Sequence, residues 1–178
     1  MNKKIAILRG INVGGKRKIL MKDLKLLCEK LGLDQIETYI QSGNILFNSD
    51  KDNSELEKVL YEAIQDKYGF QVPVIVRNSE ELKFQVTRNP FFDQKTDITR
   101  LHLTFLKEKP KKENLIKIQT YNHEPDKFQL VDKEVFIYCD GKYHQSKLSN
   151  NFFEKKLNVG ATTRNWKTVL KLIELSEK

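Results

Sequence analysis

Ile36-Glu37-Thr38-Tyr39-Ile40-Gln41-Ser42-Gly43-Asn44-Ile45-Leu46-Phe47 is the stretch on which the fold turns. β-Branched and aromatic residues fill both halves, and the polar Gln41-Ser42-Gly43-Asn44 interrupts them. Gly and Asn accept the positive φ of a tight turn, so the stretch predicts a hairpin. A helical pattern flanks it on each side. Met21, Leu24, Leu27, Cys28 and Leu31 recur every three or four residues and stop at Gly32, while Leu56, Val59, Leu60, Ala63 and Ile64 stop at Gly69. Ser54 and Glu57 have the Ser-x-x-Glu spacing of a capping box in the second pattern. Outside the helices lie two short apolar runs, Lys4–Arg9 and Pro73–Arg77, each suited to one buried strand.

The resulting order, β-α-β-β-α-β, is the split βαβ order of a ferredoxin-like unit, in which helices cover one face of an antiparallel sheet. The same order then begins again. Ser79 to Thr87 predicts a linking helix, broken at Asn89-Pro90. Leu101–Leu106 predicts a strand, Lys111–Thr120 a helix, Phe128–Val131 and Val135–Cys139 a hairpin turning at Asp132-Lys133, and Lys147–Leu157 a helix. Asn158–Thr163 is short and contains Gly160, which leaves the closing strand open. Trp166, Val169, Leu170 and Ile173 mark a last helix with Thr163 placed to cap it. The expectation is an α+β protein of two ferredoxin-like units in tandem: residues 1–78, a linking helix and loop over 79–97, and residues 98–178 including the C-terminal helix.

The chain has 178 residues, 39% of them hydrophobic, with ten Phe and six Tyr, which is enough for a packed core and excludes disordered classes. No apolar run is long enough to span a membrane, and the start lacks the pattern of a signal peptide. A cytoplasmic protein without a membrane partner is expected. Cys28 and Cys139 each sit in an apolar pattern, and His102, His123 and His144 are far apart. Neither a disulfide framework, a metal site nor a redox cofactor is indicated. His102 lies inside a predicted strand and reads as structural.

Charge is uneven. The formal net charge is +8, but residues 1–30 carry +7 and residues 142–178 carry +5, around a middle of −4. Two basic ends forming one surface would attract phosphates.

Leu8-Arg9-Gly10-Ile11-Asn12-Val13-Gly14-Gly15-Lys16, Thr38-Tyr39-Ile40-Gln41-Ser42-Gly43-Asn44, Ser146-Lys147-Leu148 and Ala161-Thr162-Thr163-Arg164-Asn165-Trp166-Lys167-Thr168-Val169 together resemble domain-of-unknown-function family 1697 over essentially the whole chain. The resemblance implies a bacterial, cytoplasmic protein of paired ferredoxin-like units and brings with it no activity and no catalytic residue. His144-Gln145 departs from the Gly and Arg of the family pattern, so no basic role is carried over at that point.

Gly10 to Lys16 has the G-x-x-x-x-G-K spacing of a phosphate loop. Arg17 stands where that loop needs Ser or Thr for Mg²⁺, and the helix starts only near Met21, so nucleotide hydrolysis is not expected. A simpler anion site remains, built from the N–H groups of Gly10, Gly14 and Gly15 with Asn12, Lys16, Arg17 and Lys18, with Arg9 as a further binding candidate, beside the alternative of a plain strand-to-helix loop. Gln41, Ser42 and Asn44 form a second polar group, explained by turn chemistry or by a ligand facing the Gly10 loop. Near the C-terminus, Lys147, Arg164, Asn165 and Lys167 are candidates for phosphate binding, with Arg164 and Asn165 expected at exposed positions opening the last helix. The leading expectation is a binding module for a phosphate-bearing ligand, nucleic acid among them. The rivals are a small-molecule enzyme with Ser42, Asn44 or His144 at a reacting centre between the units, and a protein-interaction module.

Overall fold

The computed structural model describes residues 2–178. The first compact unit comprises the chain as far as Phe84 together with Lys171–Lys178, and the second comprises Gln85–Leu170.

In the first unit the elements run β1 (Asn2–Leu8), α1 (Met21–Lys30), β2 (Asp34–Tyr39), β3 (Asn44–Ser49), α2 (Asn53–Tyr68), β4 (Val74–Asn78) and α3 (Ser79–Val86), the last crossing the unit boundary. The strands form one antiparallel sheet in the order β2-β3-β1-β4, with Ile7 opposite Asn44 on one side and Ile75 on the other. Alternation along each strand sends Ala6, Leu8, Ile45, Phe47, Val74 and Val76 into one core. Leu24, Leu27 and Cys28 of α1 and Leu56, Leu60 and Ile64 of α2 meet them there. Each fully buried Leu or Phe contributes roughly 1.5–3 kcal/mol, whereas exposed ion pairs such as Lys51–Glu55 contribute about 0–1, so the core sets the stability. Gly69 ends α2 in the left-handed conformation, φ +75°, as its sequence position predicts.

One expectation fails in α2. The helix is preceded by Asp52 without a side-chain cap bond, and Ser54 and Glu57 do not form a capping box. Buried Glu57 instead turns to the sheet, where its Oε1 accepts the Val76 N–H at 2.9 Å.

The second unit repeats the order: β5 (Leu101–Leu106), α4 (Lys112–Gln119), β6 (Lys127–Val131), β7 (Glu134–Tyr138), α5 (Asn150–Leu157) and β8 (Ala161–Asn165), with α6 (Trp166–Ser176) following. Its antiparallel sheet has the order β6-β7-β5-β8, the same ferredoxin-like arrangement. Leu106, Val135, Ile137 and Cys139 pack with Ile118, Phe153 and Leu157 from the helices. Short 3-10 turns occupy Ile98–Arg100 and Tyr143–Gln145.

β8 is the closing strand that its sequence left open. Asn158, at φ +55°, ends α5, and the Gly160 carbonyl accepts the Lys107 N–H at 2.8 Å, which starts the pairing. Thr104 and Thr163 then face each other across β5 and β8, their hydroxyls 2.7 Å apart. Thr163 is thus a strand residue and not a helix cap. The Asn165 Oδ1 accepts the Thr168 N–H at 2.8 Å and caps α6 instead. The helix expected from Lys147 starts at Asn150, because Ser149 accepts the Phe152 N–H and the buried Leu148 precedes it in the loop. Among the described residues, no helix is long and apolar enough to cross a membrane.

Candidate functional site

Between β1 and α1 the chain folds back as a small finger. The Arg17 carbonyl accepts the Asn12 N–H at 3.2 Å, and the Val13 carbonyl accepts the Lys16 N–H at 3.1 Å. Gly14 and Gly15 form the tip with φ of +57° and +74°, values that glycine reaches without a Cβ penalty. Arg17 bends back over Gly10, one guanidinium nitrogen lying 3.5 Å from the place a Cβ would occupy. Lys16, Arg17 and Lys18 are exposed, and no carboxylate pairs with them among the described residues.

The Asn12 side chain is taken up in holding the finger. Its Nδ2 donates to the Ile19 and Gln41 carbonyls, each at 2.9 Å, and its Oδ1 accepts the Ile19 N–H at 2.9 Å. The finger base is thereby tied to the β2–β3 turn, so the Gly10 loop and Gln41 lie at the same end of the sheet. Ser42 and Asn44 serve the turn itself. Asn44 is fully buried and donates to the Tyr39 carbonyl and the Ser42 hydroxyl. Arg9 is half-buried beside β4, with its N–H on the Pro73 carbonyl at 2.9 Å. Of the residues singled out in the loop and the turn, Gly14, Gly15, Lys16, Arg17 and Gln41 stand toward solvent.

In the second unit the candidates separate. Arg164 is a buried strand residue of β8, not an exposed helix opener. Its guanidinium donates to the Thr162 hydroxyl and Thr163 carbonyl, and burial pulls it down to about 10. Lys147 is exposed in the loop after Ser146, and His144 is exposed in a 3-10 turn. Ser146 is structural: it donates to the buried Asp126 carboxylate and accepts the Leu148 N–H at 3.0 Å, and Asp126 in turn accepts the Asp140 N–H at 2.9 Å. That network gives the Ser146-Lys147-Leu148 segment a fold role.

Asn165 and Lys167, by contrast, come together on the wall of a cleft of about 520 Å³. Its other walls include Thr99, Arg100, Lys142, His102 and Tyr143. His102 pairs with Asn165 across the strands and stacks on the Tyr143 ring, with centroids 4.3 Å apart and 20° between planes. Arg100 is engaged by Asp140 at 3.1 Å, Asp97 at 3.9 Å and the Tyr138 hydroxyl. The sequence pattern missed this cleft, since its walls come from three separated segments that the β5–β7 and β5–β8 pairings bring together.

Burial raises the Cys28 thiol to about 12 and also raises Cys139, so neither is a reactive thiolate. Among the described residues, no three His, Cys, Asp or Glu side chains are grouped to hold a metal ion.

The sequence pattern of proteins of unknown function DUF1697 matches residues 1–136. The chain belongs to the DUF1697 family. The match takes in the whole finger, the β2–β3 turn and the second unit as far as β7, so the Asn12 latch lies within the DUF1697 pattern and the α6 end of the cleft beyond it. A solved structure, that of conserved bacterial protein SP0830 from Streptococcus pneumoniae, is similar at a TM-score of 0.80 and 24% identity, with 98% of each chain covered. It shares the fold. No curated protein matches the chain.

Proposed function

We propose that this DUF1697 protein is a binding module for phosphate-bearing polymers, with the Gly10–Lys18 finger as its contact with nucleic-acid phosphates. The observation that carries the reading is the set of three consecutive exposed cations, Lys16, Arg17 and Lys18, none paired with a carboxylate among the described residues. Cations already paired within the protein would have to break those pairs to meet a phosphate; these do not. The Asn12 latch holds their base in place, which reduces the ordering entropy lost on binding. The Gly14 and Gly15 N–H groups at the tip add donors beside the charges.

Retention on single- and double-stranded nucleic acid as a function of salt tests the reading. Neutralising phosphates makes log affinity fall linearly with log salt. Replacing Lys16, Arg17 and Lys18 by Ala is expected to lower that slope by about 2–3 and to weaken retention across all sequences alike. Retention unchanged in the triple variant, or no retention at low salt, refutes it.

A further inference from the structure

The cleft of the second unit has features that the finger reading leaves unused. His102 is buried, 8% exposed, and its Nδ1 has no hydrogen-bond partner. An unsatisfied buried polar atom costs about 1–3 kcal/mol, so a polar group retained on a cleft wall calls for an explanation. Lys167, in the first turn of the 11-residue α6, borders the same cleft beside Asn165, the last residue of β8. Helix N-termini favour anions through their N–H groups and dipole. Arg100 is already spent on Asp97 and Asp140, but Lys142 and Lys167 are exposed and have no carboxylate partner among the described residues. Two uncommitted ammonium groups match a dianion. The stacked His102 and Tyr143 rings add an aromatic wall against which an organic group packs. A volume of about 520 Å³ lies within the range of roughly 300–1,000 Å³ that small-molecule sites occupy.

We propose that this cleft binds a small phosphomonoester, with the phosphate held by Lys142, Lys167 and the first turn of α6, and the organic part against His102 and Tyr143. The site is separate from the finger and takes a monomeric ligand instead of a polymer.

Isotope-labelled full-length protein titrated with ribose 5-phosphate and adenosine 5′-monophosphate, each beside its unphosphorylated counterpart, tests this by NMR. The phosphorylated compounds are expected to move the Thr99, His102, Lys142 and Lys167 signals, while ribose and adenosine leave them in place. Lys142→Ala with Lys167→Ala, both at exposed positions that the fold tolerates, is expected to weaken binding roughly tenfold or more, from two lost charge-assisted bonds. The Lys16→Ala, Arg17→Ala, Lys18→Ala variant is expected to bind the phosphomonoesters as the parent does, which separates this site from the finger. The proposal falls if neither phosphomonoester moves those signals, if the unphosphorylated compounds move them equally, or if the double lysine variant binds unchanged. It also falls if only a nucleic-acid strand perturbs the cleft.

Discussion

Gly43 and Ile11 share a space with no room for a Cβ: one built on Gly43 would lie 2.6 Å from Ile11 Cδ1 and 2.9 Å from Leu8 Cβ. Gly43 also has φ +78° and gives its carbonyl to the Leu8 N–H at 2.8 Å. The turn therefore needs glycine twice over, for its dihedral and for the approach of the finger base. Gly43→Ala is expected to cost roughly 2–4 kcal/mol, combining left-handed strain with overpacking. Gly69 has a similar φ of +75° but nothing within 4 Å of its Cβ position, so Gly69→Ala is expected to cost only about 1 kcal/mol. Urea unfolding of the two variants decides; equal losses would mean that the Ile11 contact does not matter.

That pair also shows what the sequence made legible. Gly43 as a turn residue, Gly69 as a helix stop and the stripe from Met21 to Leu31 are local signals, and each sits where its pattern placed it. The Ile11 contact depends on two segments meeting, which spacing does not encode. β8 went unassigned for the same reason: Thr163 becomes a strand residue through Thr104, 59 positions away. The candidate residues divided along this line. Lys16 and Arg17 have the exposure expected of a basic loop, while Asn12, Asn44 and Arg164, polar in sequence, are taken up by partners that lie elsewhere in the chain or in the backbone beside them.

Asn12 is expected to act as a latch and not as a ligand. Asn12→Ala removes three hydrogen bonds at the finger base and is expected to cost about 1–3 kcal/mol. Hydrogen exchange at the Ile19 amide should accelerate, since its acceptor is the Asn12 Oδ1. An Ile19 amide that exchanges at the parent rate would refute the latch.

Ser54 and Glu57 are expected to behave as strangers despite their capping-box spacing. Ser54 is exposed and makes no cap bond, so Ser54→Ala should alter stability by no more than about 0.5 kcal/mol. Glu57→Ala leaves the buried Val76 N–H without its acceptor and is expected to cost roughly 1–3 kcal/mol. A double-mutant cycle checks the assignment, because a real capping box would give a coupling energy between the two.

His102 gives the fold a pH dependence whose sign follows from its place in the cleft. Burial holds the imidazole below its ordinary value of 6.5. The unfolded chain therefore takes up a proton at His102 at a higher pH than the folded protein does. Between the two values the unfolded state binds more protons, and stability rises with pH. The contribution is present above 6.5 and is lost as pH falls toward the folded value. The charged groups around the same cleft are Arg100, Lys142 and Lys167, with Asp97 and Asp140 on Arg100. Asp97 is itself held below the ordinary carboxylate value of 3.8, chiefly by its bonds from Thr99, and so acts in a lower window. Urea midpoints of the parent are therefore expected to fall on acidification from neutral pH to about 5, and those of His102→Asn to fall less. Parallel curves for the two proteins would remove His102 as the origin.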